Sequence, residues 1–392
     1  MIRVGLVGSG FLSQIRVRCY AQARGGSGAI AAVASRDAAK AAAFAREQGI
    51  ETVFDSFEEM IASEDIDAVD LCVPNALHRP MAVAAAQAGK HVICTKPLAA
   101  FVGQGLDDPS TAGETDPATM LAEATDDARQ MVDAAERAGV ALCYGENWIY
   151  APAFRRAAEL ARASGGRLLE MRGWEAHSGS HSPYAKHWVH TGGGALLRLG
   201  AHPIGAMLRL KADEGLALDG APVVPVSVMA DVADLSATAG LTEPTTKIAR
   251  GWVDVENWGC CTIAFSDGSR GIAYGSDNCL GGMQSRLELS GSNFHTAVQM
   301  SPNDLLRSYA PDAATFGDEY IMEKTDTSAG WSTPMPDEMW TSGQAGMIQA
   351  FLEDLAAART PLSDGRLGLE VTRVVYSAYI SAREGRRVEI AR

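Results

Sequence analysis

The chain has no Cys-x-x-Cys pair, no apolar run longer than a strand, and 34 Lys and Arg against 48 Asp and Glu. Its seven cysteines are Cys19, Cys72, Cys94, Cys143, Cys260, Cys261 and Cys279. Most stand inside apolar, strand-like runs, so they read as buried thiols of a reducing compartment. Runs this short exclude a membrane-spanning helix. Met1-Ile2-Arg3-Val4 enters its apolar run without the charge pattern or cleavage site of a signal peptide, so a cytoplasmic location is expected. A net charge of −14 disfavours nucleic acid and anionic membranes as partners. It does not disfavour an anionic small substrate, since a local basic pocket can oppose the global sign. With 47% hydrophobic and 21% charged residues, the composition is globular and excludes disorder, collagen and repeat arrays. At 392 residues the chain exceeds one ordinary core, and two domains are expected.

The first 145 residues alternate short β-rich runs (2–7, 30–34, 52–54, 68–73, 91–94, 140–144) with helical ones (11–24, 37–48, 57–62, 77–88, 120–137). Strand–helix alternation with apolar, non-alternating strands predicts a parallel, doubly wound sheet covered on both faces. Residues 101–119 break the rhythm. They carry Gly, Pro, Asp and Thr without a period, which predicts a long functional or contact loop. Beyond residue 151 the pattern changes to a helix (153–163), longer strands (168–175, 223–232, 259–265, 271–276, 286–290) and helices near 199–210, 342–358 and 367–384. Ser266-Asp267-Gly268-Ser269 reads as a hairpin turn. The fold class expected is α/β: a Rossmann domain over 1–148, then an α+β domain over 149–392 with an open, mainly antiparallel sheet.

Gly8-Ser9-Gly10-Phe11-Leu12-Ser13 follows the first strand and opens the first helix. Gly8 suits a tight turn, and Gly10 lets a pyrophosphate reach the helix N-terminus beside Phe11 and Leu12. Ser13 replaces the third glycine. Inside five further strand–helix units, this GxG is a dinucleotide-binding turn. An acidic residue closing the second strand would hold a ribose 2′-hydroxyl. Here Ser35-Arg36 suits a 2′-phosphate, which favours NADP over NAD. In the alternative reading Arg36 stacks on adenine and Asp37 takes the ribose.

Four segments carry a family resemblance. Val73-Pro74-Asn75-Ala76-Leu77-His78 and Gly89-Lys90-His91-Val92-Ile93-Cys94-Thr95-Lys96-Pro97-Leu98 come first. Gly192-Gly193-Gly194-Ala195-Leu196-Leu197-Arg198-Leu199-Gly200-Ala201-His202-Pro203 and the ending Ser381-Ala382-Arg383-Glu384-Gly385-Arg386-Arg387-Val388 follow. Together they resemble the glucose–fructose oxidoreductase and inositol dehydrogenase (Gfo/Idh/MocA) family over nearly the whole chain. The resemblance implies an open C-terminal sheet used for oligomerisation, as a dimer or tetramer, and a substrate held between the domains. It implies cofactor contacts at Pro74, Asn75, His78, Thr95 and Lys96, and catalytic roles for Lys96 and His202. Two residues depart from the family pattern. Thr95 stands where Glu is usual, and Arg198 where Asp is usual. The second change removes a carboxylate from the proton relay and loads more on Lys96 and His202.

Oxidising a secondary alcohol needs a hydride acceptor and a base for the hydroxyl proton. Lys96 ends a parallel strand, where α/β sheets place ligands. A positive nicotinamide, and Arg198 if close, would lower its pKa, and His202 can relay the proton. Arg198 either meets a substrate carboxylate or phosphate, or forms an ion pair with an acid such as Glu146 or Glu175. His177, His181, His187 and His190 lie near Tyr184, Lys186 and Trp188. Their spacing fits no metal motif, so no metal is expected and the stretch is expected to line the substrate cleft. Tyr184 and Trp188 are candidate stacking platforms for a sugar ring, and Lys186 a polar contact. Asn147, after the last Rossmann strand, either touches nicotinamide or substrate or holds a domain-junction turn. These residues point to a sugar, glycoside or polyol dehydrogenase. The alternatives are oxidation of a sugar acid through Arg198, and a non-catalytic Rossmann-fold regulator.

Overall fold

In a computed structural model, all residues are described except 181, 239, 242–244, 303–304 and 392. His181 therefore lies outside the described residues. Six parallel strands form the first sheet: β1 (Ile2–Val7), β2 (Gly28–Ala34), β3 (Thr52–Phe54), β4 (Ala68–Leu71), β5 (His91–Thr95) and β6 (Leu142–Gly145). Their order is β3-β2-β1-β4-β5-β6, with the reversal beside β1 that opens a ligand crevice at the strands' carboxyl ends. The crossovers are α1 (Phe11–Gln22), α2 (Ala38–Gln48), α3 (Phe57–Ala62), α4 (His78–Gln87) and α5 (Pro117–Ala138). Local chemistry sets their ends. Asp37 caps α2 by accepting the Lys40 N–H, and Ser56 caps α3 by accepting that of Glu59. Val4, Leu6, Val69, Leu71, Val92 and Ile93 are wholly buried, as expected of strands covered on both faces.

After α6 (Pro152–Ser164) the chain builds a seven-stranded sheet from β7 (Leu168–Ala176), β8 (Pro225–Ala233), β9 (Trp258–Phe265), β10 (Arg270–Ser276), β11 (Gln284–Gly291), β12 (His295–Ser301) and a final strand. A small two-stranded sheet, β13 (Ser308–Ala310) with β14 (Gly330–Ser332), stands apart, and the final strand is β15 (Val388–Glu389). The order is β12-β11-β7-β10-β9-β8-β15, antiparallel except for the β7–β10 pair. Short helices α7 (Trp188–Thr191) and α8 (Ala195–Arg198) lead into α9 (Ala201–Asp219). The helix-facing side of the sheet is thinned by glycine. A Cβ on Gly173 would stand 2.7 Å from that of Pro203, and one on Gly275 2.4 Å from the Ala195 carbonyl oxygen. The first turn of α9 can therefore sit directly on β7 and β10.

Helices α10 (Glu338–Thr341), α11 (Gln344–Ala356) and α12 (Gly365–Glu384) return to the first domain. The helix expected over 342–358 is α11, and a turn at Gly343, whose φ of 86° places it in the left-handed region, separates it from α10. Contacts of α11 with α1, and of α12 with α5, join the two halves through the C-terminal helices. Residues 101–119, expected as a loop, are partly core. Phe101 and Val102 are buried, the Phe101 N–H donates to the Tyr376 hydroxyl, and the Trp188 indole donates to the Phe101 carbonyl. Among the described residues no helix is long and apolar enough to cross a membrane.

Candidate active site

The GxG turn has the shape a dinucleotide needs. Gly8 sits at φ 112°, and a Cβ there would stand 2.4 Å from the Cys72 carbonyl oxygen. Gly10 precedes the first turn of α1 and has open space where its Cβ would be. A pyrophosphate can therefore meet the helix N-terminus, so the residues fit a nicotinamide dinucleotide. Ser13 is buried and only 3.5 Å from the Cβ position of Gly8, so the third motif position keeps its role of close helix–strand packing. At the end of β2, Ser35 accepts a hydrogen bond from Ser9, and Arg36 is exposed. Asp37 is engaged by Lys40, through its N–H and its ammonium at 3.6 Å.

The β4 and β5 ends carry Pro74, Asn75, Thr95 and Lys96. Asn75 donates to the Thr191 carbonyl across the crevice. His78 is placed differently from expectation. It is fully buried, with Nδ1 at the Pro97 carbonyl (3.0 Å) and Nε2 at the Val73 carbonyl (3.2 Å). Both ring nitrogens are thereby occupied by backbone oxygens. His78 clasps the two motif loops together instead of facing a nucleotide.

Lys96, partly buried, donates to the Arg198 carbonyl oxygen, which joins the end of β5 to the second domain. Burial depresses its pKa, the carboxylate of Glu175 opposes this, and the Arg198 cation adds to it. His202, in the first turn of α9, donates from Nδ1 to the buried carboxylate of Glu146 at 2.9 Å and lies flat on Trp148 (11° between planes). The Glu146 carboxylate also accepts the Trp148 N–H. With Nδ1 carrying the proton, Nε2 is left with its lone pair, the tautomer a proton acceptor needs.

Arg198 is paired with Asp277, which follows β10, and its guanidinium lies 5.2 Å from the centre of the Trp252 ring. The acids expected to meet Arg198 were Glu146 and Glu175. Glu146 instead holds His202, and Asp277 takes Arg198. Glu175 is buried on β7, has an oxygen without a hydrogen-bond partner, and its pKa is raised by burial. The sequence signal for Glu146 was its place after the last Rossmann strand. Asp277 and Trp252 carried none, since neither stands in a motif.

The expected substrate contacts divide. Tyr184 is exposed and meets the His190 ring edge-on at 5.0 Å. Lys186 donates to the Arg250 carbonyl. Trp188 is buried against Tyr379, which denies a sugar ring its face. Asn147 is buried and donates to the Ser342 carbonyl, an arrangement that suits the domain-junction alternative. A cavity of about 650 Å³ beside α1 is lined by Phe11, Gln14 and Arg18 from the first domain and by residues of 313–328 from the second, a segment for which the sequence offered no expectation. Among the described residues no group of three or more His, Cys, Asp and Glu side chains is placed to hold a metal ion.

Residues 2–112 match the family described as an oxidoreductase family with an NAD-binding Rossmann fold, Gfo/Idh/MocA. Over that segment the chain is similar to members of this family. It is 32% identical over 207 residues to a 1,5-anhydro-D-fructose reductase of Ensifer adhaerens, covering 52% of this chain and 54% of that one. It is 35% identical over 141 residues to D-xylose 1-dehydrogenase (NADP(+)) 2 of Haloferax volcanii, covering 36% of each. The chain thus spans about half the length, or less, of these curated relatives. The structure of GenD2 from gentamicin A biosynthesis, in complex with NAD, superposes with a TM-score of 0.79 at 25% identity, covering 100% of this chain and 97% of that one. The likeness in fold to that neighbour therefore extends past the matched segment, over both domains.

Proposed function

We propose that this chain is an NAD(P)-dependent dehydrogenase that removes hydride from a secondary alcohol of a sugar, glycoside or polyol. One observation carries the reading: a lysine at the carboxyl end of β5 and a carboxylate-oriented imidazole, His202, are brought to the crevice beside an open GxG turn. Gly8, Gly10, Phe11, Leu12, Ser35, Arg36, Pro74, Asn75 and Thr95 would hold the dinucleotide, whose nicotinamide supplies the hydride acceptor. Lys96 takes the hydroxyl proton, for which its depressed pKa prepares it. Glu146 fixes the tautomer and orientation of His202. The relatives named for reactions on anhydrofructose and xylose support a carbohydrate substrate. Exposed Arg36 beside Ser35 supports NADP over NAD.

Arg198 bears on the sugar-acid alternative. Its cation already has Asp277 as a counterion, which favours a neutral substrate. The buried, hydrogen-bonded Glu146–His202 pair disfavours a non-catalytic regulator, since such a pair is costly to assemble for no chemistry. For the expected oligomer, the side of the second sheet opposite α9 carries half-exposed Trp174, Trp258, Ile272 and Tyr274, beside exposed Met229. These would be covered in a dimer or tetramer. The reading is tested by nucleotide absorbance across neutral sugars, polyols and aldonates. Lys96→Ala should lower kcat by on the order of 10²-fold or more with nucleotide affinity retained. Near-normal turnover in that variant would remove Lys96 from the chemistry.

A further inference from the structure

We infer that Glu175 is the carboxylate that receives the proton from Lys96, in the place that Arg198 leaves vacant; this rests on the dehydrogenase reading above. Glu175 is the third residue of an inward-facing series on β7. Met171 and Gly173 precede it on the same face, and Gly173 is the residue whose missing side chain admits Pro203 of α9. In register it lies between Gly275 of β10 and Ser285 of β11. Gly275 has no side chain and Ser285 a small one, so the carboxylate stands in a gap of the sheet under the turn that carries His202. It is 4% exposed, and its Oε2 is buried without a hydrogen-bond partner.

The neighbouring buried acids are committed: Glu256 accepts the Gly194 and Leu196 N–H groups and the Tyr379 hydroxyl. Glu146 holds His202, and Asp277 holds Arg198. Glu175 forms no ion pair of that kind; burial raises its pKa, His202, a hydrogen bond with Ser285 and Lys96 oppose that rise, and it is the acid that acts most strongly on Lys96. An unpartnered carboxyl oxygen in a buried site is costly unless it serves a turn of the chemistry. The step balances as follows. The C–H electron pair leaves with its hydrogen for the nicotinamide as the carbonyl forms. The hydroxyl proton passes to neutral Lys96 Nζ, and from the resulting ammonium to the carboxylate of Glu175. Lys96 is then neutral again, and once product has left and water enters the crevice the proton returns from Glu175 through Lys96 to solvent, which restores both groups for the next turnover. Glu175 acts through Lys96 and is a positioning and relay residue.

The test uses Glu175→Gln, with Glu175→Met in reserve, since an apolar side chain of similar volume often replaces a buried charge without loss of stability. Lys96 is labelled with an amine-reactive reagent across pH, with and without nucleotide, and followed by peptide mass spectrometry. Loss of the neighbouring negative charge should lower the labelling midpoint of Lys96 by about one unit or more. With an accepted sugar, kcat should fall by on the order of 10²-fold. The solvent deuterium isotope effect should rise, nucleotide affinity should hold, and Glu175→Asp should restore most of the rate. No nucleotide reduction by the parent with any sugar or polyol overturns the dehydrogenase reading and the relay with it. Turnover by the parent, with rate, isotope effect and labelling midpoint unchanged in Glu175→Gln, overturns the relay alone.

Discussion

Among the described residues, two arginine–aspartate pairs with a buried aspartate are built for different ends. Arg16 of α1 meets Asp70 of β4 at 3.3 Å, with both side chains sealed inside the first domain. Tyr20 donates to the same carboxylate at 3.1 Å, and Arg16 reaches Gln344 of α11 at the outer end. Arg198 meets Asp277 at the rim of the crevice, where its side chain keeps 14% of its exposure. Its flank rests on Trp252, and its backbone carbonyl takes the Lys96 ammonium. Burial raises the pKa of both aspartates, and the arginine in each case opposes it. The first pair is a closed circuit whose charges act only on folding. The second has one edge open and its backbone wired to the candidate base, so it acts on chemistry as well.

The sharpest way to break this comparison is Arg16→Ala. It strands Asp70 as an unpaired buried charge and should cost about 3–5 kcal/mol, read from denaturant midpoints. Replacing both partners, Arg16→Met with Asp70→Leu, should recover most of that loss. A single variant within about 1 kcal/mol of the parent would show that water already reaches Asp70. Arg198→Ala should destabilise less than Arg16→Ala, because solvent can reach the abandoned Asp277 from the rim. Its KM for a neutral sugar and for the matching aldonate should change alike if the cation serves Asp277. A rise of about tenfold confined to the aldonate, the size of one lost charge-assisted hydrogen bond, would instead place a substrate carboxylate on Arg198. The smallest structural effect belongs to Arg36→Ala at the exposed end of β2. It should leave stability within about 0.5 kcal/mol and weaken NADP binding relative to NAD. Calorimetric titration in which NADP affinity is untouched, or NAD is preferred by the parent, would give the discriminating role to Asp37.

What could be read in the sequence was local or was carried by a motif. The strand–helix alternation, the GxG turn at Gly8 and Gly10, and the two-domain division of fold type all rest on residues close in the chain. The site is different in kind. His202 finds Glu146 across 56 residues and Arg198 finds Asp277 across 79, and which acid meets which base is set by how α9 seats on β7 and β10. The sequence offers Glu146 as one possible partner of Arg198, whereas it meets His202, and gives no sign of Asp277. His78 was misplaced for a related reason: its motif neighbours stand at the strand ends, but its own ring is turned inward to two carbonyls. Trp188 and residues 101–102 show the same limit. Apolar and aromatic residues in an irregular stretch read as a surface, and packing against Tyr376 and Tyr379 made them core.

The outer edge of β6 has a consequence for how the protein is made. The Tyr144 N–H donates to the Ser363 carbonyl, the Ser363 hydroxyl donates to the Tyr144 carbonyl, and Cys143 bridges to Asp364. Just beyond, Gly365 opens α12 so close to the first domain that a Cβ would stand 2.5 Å from the Leu142 side chain. A strand synthesised before residue 146 therefore waits for residues more than two hundred positions later to close its flank. During translation the nucleotide domain leaves the ribosome before α12 does, yet remains unfinished until the segment that opens α12 follows. A nascent chain stalled before α12 would present an unpaired strand edge, the surface that chaperones and aggregation compete for.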